Sequence, residues 1–311
     1  MDKVKRTGIF TYGILLFLII LFIGLSFSSP YFFTVTNLTT VLRQVAVVGI
    51  MTVGMTMIIL TGGIDLSVGS MLGLCAVVLA KLMVGGVNMF LAIILTLIVG
   101  MILGALNGFL VNEIKISPLI STLGTMTIFS GLTYMITGGK GIFGFPANFS
   151  FIGQGYLLKV PVPIIILVAV YAIGFFILNN TRYGRYLYGI GANEEASVLS
   201  GVDVKKVKYL AYINSGLLSA LAAVVMLSRV SSALPNLGDG LEFDVVTAVV
   251  LGGISVNGGE GKLQGVVIGL LIIAVLSNGM ILLGVGTYFQ AVIKGLVLLI
   301  AVGIDNLSKQ S

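Results

Sequence analysis

The sequence predicts an all-α fold, a polytopic transmembrane helical bundle of about ten spans with both termini in the cytoplasm, and three observations predict it. Only 9% of the 311 residues are charged and 58% are hydrophobic, whereas a water-soluble domain carries about a quarter charged residues, so lipid must solvate this chain. Apolar runs of the length an α-helix needs to cross about 30 Å of hydrocarbon follow one another almost end to end. The 42 glycines, several spaced four apart, let helix backbones touch, which drives association where lipid removes the hydrophobic force between helices. One transmembrane domain over 1–311 is expected, interrupted by a polar loop at 181–208.

Apolar segments and breaker clusters place the spans near 9–29, 41–60, 65–84, 88–111, 117–137, 162–179, 209–229, 243–256, 265–283 and 287–306. Lys3, Lys5 and Arg6 precede the first. Its apolar part is too long for a signal peptide and no small-residue cleavage motif follows, so it reads as a retained span starting inside. The eighth is short of spanning length and is expected to tilt or to unwind beside Gly252 and Gly253.

Cytoplasmic loops are enriched in Lys and Arg. With the N-terminus inside and ten spans, Lys3, Lys5, Arg6, Lys115, Arg182, Arg185, Lys205, Lys206, Lys208, Lys262 and Lys309 are cytoplasmic, against Lys81, Lys140 and Lys159 outside. The net charge of +6 therefore reports topology, and nucleic acid is not an expected partner. Two external loops, Gly138–Pro161 and Ser231–Glu242, read equally as docking surfaces or as packed connections.

The same bias puts the polar island Thr181–Lys208 in the cytoplasm, with five of 17 basic and three of 11 acidic residues. Within it, Asn193 is suited to N-cap a helix, Glu194 and Glu195 fall in a first turn where the dipole favours acids, and Gly201 suits the position after the last turn. A two-turn helix from Asn193 to Ser200 is expected, and Asp203 opens the next. Such a helix either rests on lipid headgroups or presses into a groove of a soluble protein. Its acidic first turn and its few apolar residues, Val198 and Leu199, favour the groove.

Enzyme chemistry has little to work with. There is no histidine, the single Cys75 lies in an apolar run and cannot form an intrachain disulfide, and neither a metal-ligand cluster nor a nucleophile beside a base occurs, so no catalytic residue and no metal ligand is assigned.

The segments VGMTMIILTGGIDLSVGSMLGL, TRYGRYLYGIGANEEASVLSGVDVKKVK, SSALPNLGDGLEFDVVTAVVLGGISVNGGEGKLQG and TYFQAVIKGLVLLIAVGIDN resemble the membrane permease of ribose-type ATP-binding-cassette sugar importers, over about residues 30–306. That resemblance implies a bacterial inner-membrane subunit that passes ribose or a related simple sugar. The expected partners are a second permease copy, a cytoplasmic ATPase that binds ATP and Mg, and an external sugar-binding protein. The chain itself is expected to bind no cofactor. The island becomes the loop that receives the ATPase's motion, with Asn193, Glu194, Glu195, Ser197 and Gly201 as its docking residues.

Along the spans, two readings stand beside each other. TGGIDLSVG either has Asp65 N-capping the third span at the cytoplasmic surface, or sets Thr61, Gly62, Gly63, Asp65 and Ser67 at the inner mouth as a gate. Ser121 and Thr125, with Ser117 four residues before, hydroxylate one face of the fifth span, which suits a sugar pathway, though such hydroxyls often bond back to their own helix. Asn107, Asn214 and Asn278 must face protein or water and are candidates for lining the pathway, Asn107 with the gate residues. Lys294, inside the last span, is expected to be paired in a salt bridge whose partner the sequence does not identify. Gly100, Gly104 and Gly108 form GxxxGxxxG, read as packing within one subunit. NGGEGK at 257–262 departs from a phosphate-binding loop, since Val256 replaces its first glycine and Leu263 its Ser or Thr. An ion-coupled secondary transporter using Asp65, Asp244 or Lys294 is the alternative function.

Overall fold

Helices open where side-chain oxygens satisfy their first free N–H groups. In a computed structural model, residues 2–310 are described, with side chains from Leu15 to Leu307. The elements are α1 (Asp2–Ser28), α2 (Val35–Leu60), α3 (Val68–Val84), α4 (Met89–Asn112), α5 (Pro118–Thr137), a 3-10 turn (Ala147–Phe149), α6 (Ser150–Gln154), β1 (Tyr156–Leu157), β2 (Val160–Pro161), α7 (Val162–Asn180), α8 (Arg182–Ala192), α9 (Glu194–Leu199), α10 (Val204–Val230), α11 (Leu241–Leu251), α12 (Leu263–Leu282) and α13 (Thr287–Gln310). Lys3, Lys5, Arg6 and Lys309, on which part of the expected orientation rests, lie outside the described side chains.

Thr34 accepts from Asn37 N to open α2, Asn88 from Phe90 N to open α4, Thr181 from Gly184 N to open α8, and Asp203 from Lys206 N to open α10. α5 starts on Pro118, whose missing N–H costs nothing at that position. The architecture is all-α. Among the described residues the only strands are β1 and β2, paired antiparallel with Tyr156 opposite Pro161 and Leu157 opposite Val160.

Each predicted apolar segment falls on a helix. Seven described helices, α2, α4, α5, α7, α10, α12 and α13, are long and apolar enough to cross a membrane, and Leu15–Ser28 and α3 are shorter apolar stretches. α11 has 11 residues, about 16 Å of helix, and ends at Gly252 before a loop in which Gly253 has φ +83°, so the eighth segment does unwind beside the glycine pair.

α2, α3 and α10 form the centre. In α2, 78% of the apolar window is buried inside the chain, against 6% in α13, which lies at the periphery beside α11. α10 packs mainly on α4 through the small-residue stripe: a Cβ at Gly104 would meet the Tyr212 carbonyl, and one at Gly216 the Gly100 carbonyl. The GxxxGxxxG stripe therefore seats one helix of this subunit on another. The two external-loop candidates are joined by the isolated bridge Ile142–Ala233, and Ser228 of α10 donates to Phe149 O and accepts from Gly153 N at 2.7 Å. Gly138–Pro161 is thus tied to α10 at Phe149 and Gly153, which are buried, while most of its residues, Phe143, Phe151 and Leu158 among them, stay exposed.

Candidate functional site

The island folds as its caps dictate. Asn193 Oδ1 accepts from Ala196 N at 2.8 Å, α9 runs Glu194–Leu199, and Gly201, with φ +79°, turns the chain out while Val202 N bonds back to Ser197 O at 3.1 Å. Only glycine adopts that left-handed conformation without strain. Ser197 is buried and donates to Asn193 O at 2.9 Å, whereas Glu194, Glu195, Val198 and Leu199 are exposed along one shallow hollow. Lys208 of α10 holds Glu194 at 2.6 Å, and Lys205 holds Glu113, just beyond α4, at 2.9 Å.

The sequence reading did not resolve α8. It joins the island to the bundle: Tyr188 donates to Gly261 O at 3.1 Å, and its burial raises the phenol above its usual range. At the end of α8, Gly191 lies where a Cβ would meet both Leu60 O and Gly259 N. Gly259 N itself donates to Leu60 O at 3.0 Å, so the NGGEGK loop, the end of α2 and the end of α8 meet backbone to backbone.

A crevice of about 420 Å³ opens at this junction. Thr61, Gly62 and Gly63 line it together with Asn193, Glu194, Lys208, Tyr212 and Asn257. Two groups of residues read separately from the sequence, the TGG turn and the island helix, thus share one cavity.

Asp65 corrects an expectation. It does not cap α3 at a surface; Ser67 occupies the N-cap position without a side-chain cap bond, and Asp65 is completely buried. Its Oδ1 accepts from Ser67 N at 2.9 Å, Ser67 Oγ at 2.6 Å and Asn107 Nδ2 at 3.4 Å, and Asn107 also donates to Ser67 Oγ at 2.8 Å. The physical reason is depth: the stretch between α2 and α3 folds inward against α4 and α10 instead of emerging as a surface loop. Asn107 belongs to this buried cluster and lines no open cavity among those described.

Ser121 and Thr125 are also buried, on the face of α5 that packs on α3, with Thr125 Oγ1 bonding back to Thr122 O at 3.3 Å. Thr122, which the i+4 hydroxyl pattern passed over, is the one that reaches the cluster: its hydroxyl accepts from Leu66 N and reaches Ile64 O, both at 3.2 Å. Tyr212 was likewise missed. A tyrosine four residues past Lys208 inside an apolar span was its only sequence signal.

Lys294 finds its partner in Asp244 of α11, at 2.7 Å with both side chains largely buried. Asn278 pairs reciprocally with Asn37, at 2.8 and 3.0 Å, which makes it a tie between α12 and α2 and not a lining residue. Asn214 lies near Met57 Sδ at 3.9 Å. Arg43 and Arg229, which hydropathy had absorbed into spans, gather at Gln154: Arg43 donates to Gln154 O and stacks over Tyr156 at 5.0 Å, and Gln154 Nε2 donates to Arg229 O at 2.9 Å.

Known proteins carry the same pattern. The family model described as branched-chain amino acid transport system / permease component matches residues 37–302. The ribose import permease protein of Bacillus subtilis (strain 168) is 48% identical over 94% of this chain and 92% of its own length, and that of Escherichia coli (strain K12) is 43% identical over the same shares. The D-allose transport system permease protein of Escherichia coli (strain K12) is 40% identical over 91% of this chain and 87% of its own. No solved structure matches the chain significantly. With a bundle of lipid-length helices and these relatives along nearly its whole length, the chain belongs to the branched-chain amino acid transport system / permease component family, as a multi-pass permease of the bacterial inner membrane.

Proposed function

We propose that this chain is the translocation subunit of an ATP-binding-cassette importer that brings ribose or a related simple sugar into the cytoplasm. The observation that carries the reading is the 48% identity to a ribose import permease across 94% of the chain. It crosses the membrane about ten times as a single domain, with both termini and the 181–208 loop inside. Two copies form the pathway, and an external sugar-binding protein delivers the substrate. A cytoplasmic ATPase binds ATP and Mg and seats on α9 through Asn193, Glu194, Glu195, Ser197 and Gly201, while the permease itself binds no cofactor.

The shared crevice supports a mechanism of coupling. Motion of α9 reaches α10 through Glu194–Lys208, and the crevice walls at Thr61, Gly62 and Gly63 are the nearest part of the inward-facing turn. Asp65, Ser67 and Asn107 anchor that turn from behind, so it moves as a unit with α4 and α10. Ser121 and Thr125 stiffen the α3–α5 contact beside it.

Reconstitution of the chain in proteoliposomes, with and without the ATPase, tests the reading. Sugar uptake should need the ATPase and ATP, and uptake by the chain alone under an ion gradient would overturn it.

A further inference from the structure

The Asp65 cluster contains more oxygen than its hydrogen bonds use. Asp65 Oδ1 receives three donors, while Oδ2, equally buried, receives none from protein. Asn107 Oδ1, Tyr212 Oη and Ser215 Oγ are also buried without a protein partner. All four residues are at least 99% buried. The Ser215 hydroxyl lies beside the Asp65 carboxylate but outside hydrogen-bond geometry, and Tyr212 lies within the field of its charge. The Tyr212 hydroxyl is also 3.1 Å from where a Cβ on Gly63 would stand, which places it at the back of the crevice.

Among the described residues no cationic side chain pairs with this carboxylate; their ion pairs join Lys205 to Glu113, Lys208 to Glu194 and Lys294 to Asp244. A buried unpaired charge is expensive, and an orphaned amide, phenol or hydroxyl oxygen beside it adds to the cost. One carboxylate, one amide carbonyl and two hydroxyls form an all-oxygen set with one negative charge, the donor chemistry of a hard cation. The single charge matches a monovalent ion, and two neighbours of the cluster, Gly63 and Tyr212, also line the crevice.

We propose that Asp65 Oδ2, Asn107 Oδ1, Tyr212 Oη and Ser215 Oγ bind a monovalent cation of sodium size, which ties the 61–67 turn to α4 and α10. The ion is structural: it neutralises Asp65 and satisfies the four oxygens together. The proposal does not depend on which sugar is carried or on the gating role of the turn.

The test is thermal unfolding of the purified full-length chain in detergent, at constant ionic strength, in sodium, lithium, potassium or choline chloride. Sodium should raise Tm over choline saturably, by about 3–6 °C at full occupancy. Asp65→Asn should abolish the rise, and Ser215→Ala, which keeps the charge and fold, should move the sodium midpoint several-fold higher. Equal Tm in sodium and choline means that a proton or a water fills the site and overturns the proposal. An equal rise with every alkali cation overturns it as a general salt effect. A rise retained in Asp65→Asn, or a midpoint unmoved in Ser215→Ala if Asp65→Asn fails to fold, overturns it by placing the ion elsewhere.

Discussion

Lys208 of α10 donates to Glu194 of α9 across 2.6 Å, and both residues line the crevice that Gly62 and Gly63 also line. One ion pair thus connects the separately capped helix of the island to the longest of the central helices.

Glu194 is half exposed, so the pair contributes at most about 1 kcal/mol to stability. Glu194→Lys combined with Glu195→Lys is therefore expected to leave membrane insertion and Tm nearly unchanged while weakening ATPase co-purification. A complex that survives the double reversal intact removes these side chains from the docking surface.

Lys294–Asp244 behaves differently because it is largely buried. Removing one partner leaves an uncompensated charge, so Lys294→Met alone should cost about 3 kcal/mol. Lys294→Met with Asp244→Leu should recover most of that loss. Thermal unfolding of the two single variants and the double completes the cycle; additive losses would show that the two residues do not couple.

Gly104 and Gly124 make an internal control. A Cβ at Gly104 would run into the Tyr212 carbonyl on α10, while one at Gly124, midway along α5, meets nothing within 4 Å. Gly104→Ala should therefore lower Tm by several degrees. Gly124→Ala should hold or raise it, because alanine gains about 0.5–1 kcal/mol over glycine within a helix.

Asn37 and Asn278 satisfy each other, so replacing one strands the other amide in a half-buried site. Asn278→Leu should cost about 1–3 kcal/mol, and Asn37→Leu with Asn278→Leu should cost less than that single change. Unfolding of the double variant below the single would contradict the reciprocal pairing.

Some of this protein could be read without coordinates because the responsible forces are short-ranged. The Asn193 cap, the Gly201 stop and the Asp203 start each depend on groups within about four residues, and each stands where side-chain chemistry predicted it. α8 escaped because Gly184, Gly189 and Gly191 lower its intrinsic helix preference; its amphipathic face is stabilised by the 252–262 loop, which is distant in sequence. The surface-cap reading of Asp65 failed for a related reason. A polar break between two spans normally marks the membrane surface, and nothing local reveals that this one folds inward beneath Asn107.

Hydropathy, glycine spacing and capping residues, all properties of the sequence itself, determined the all-α membrane fold and the bounds of α9, and the resemblance of four long segments gave the family. The tertiary structure decided which polar groups meet: Lys294 with Asp244, Asn278 with Asn37, Asp65 with Ser67 and Asn107, and the TGG turn with the island helix in one crevice. The reason is physical. Transfer free energy and cap hydrogen bonds are set by a residue and its near neighbours, whereas the partner of a buried polar group depends on how each helix is rotated and how deep it sits. Those two variables are fixed by close packing of the helices as a whole.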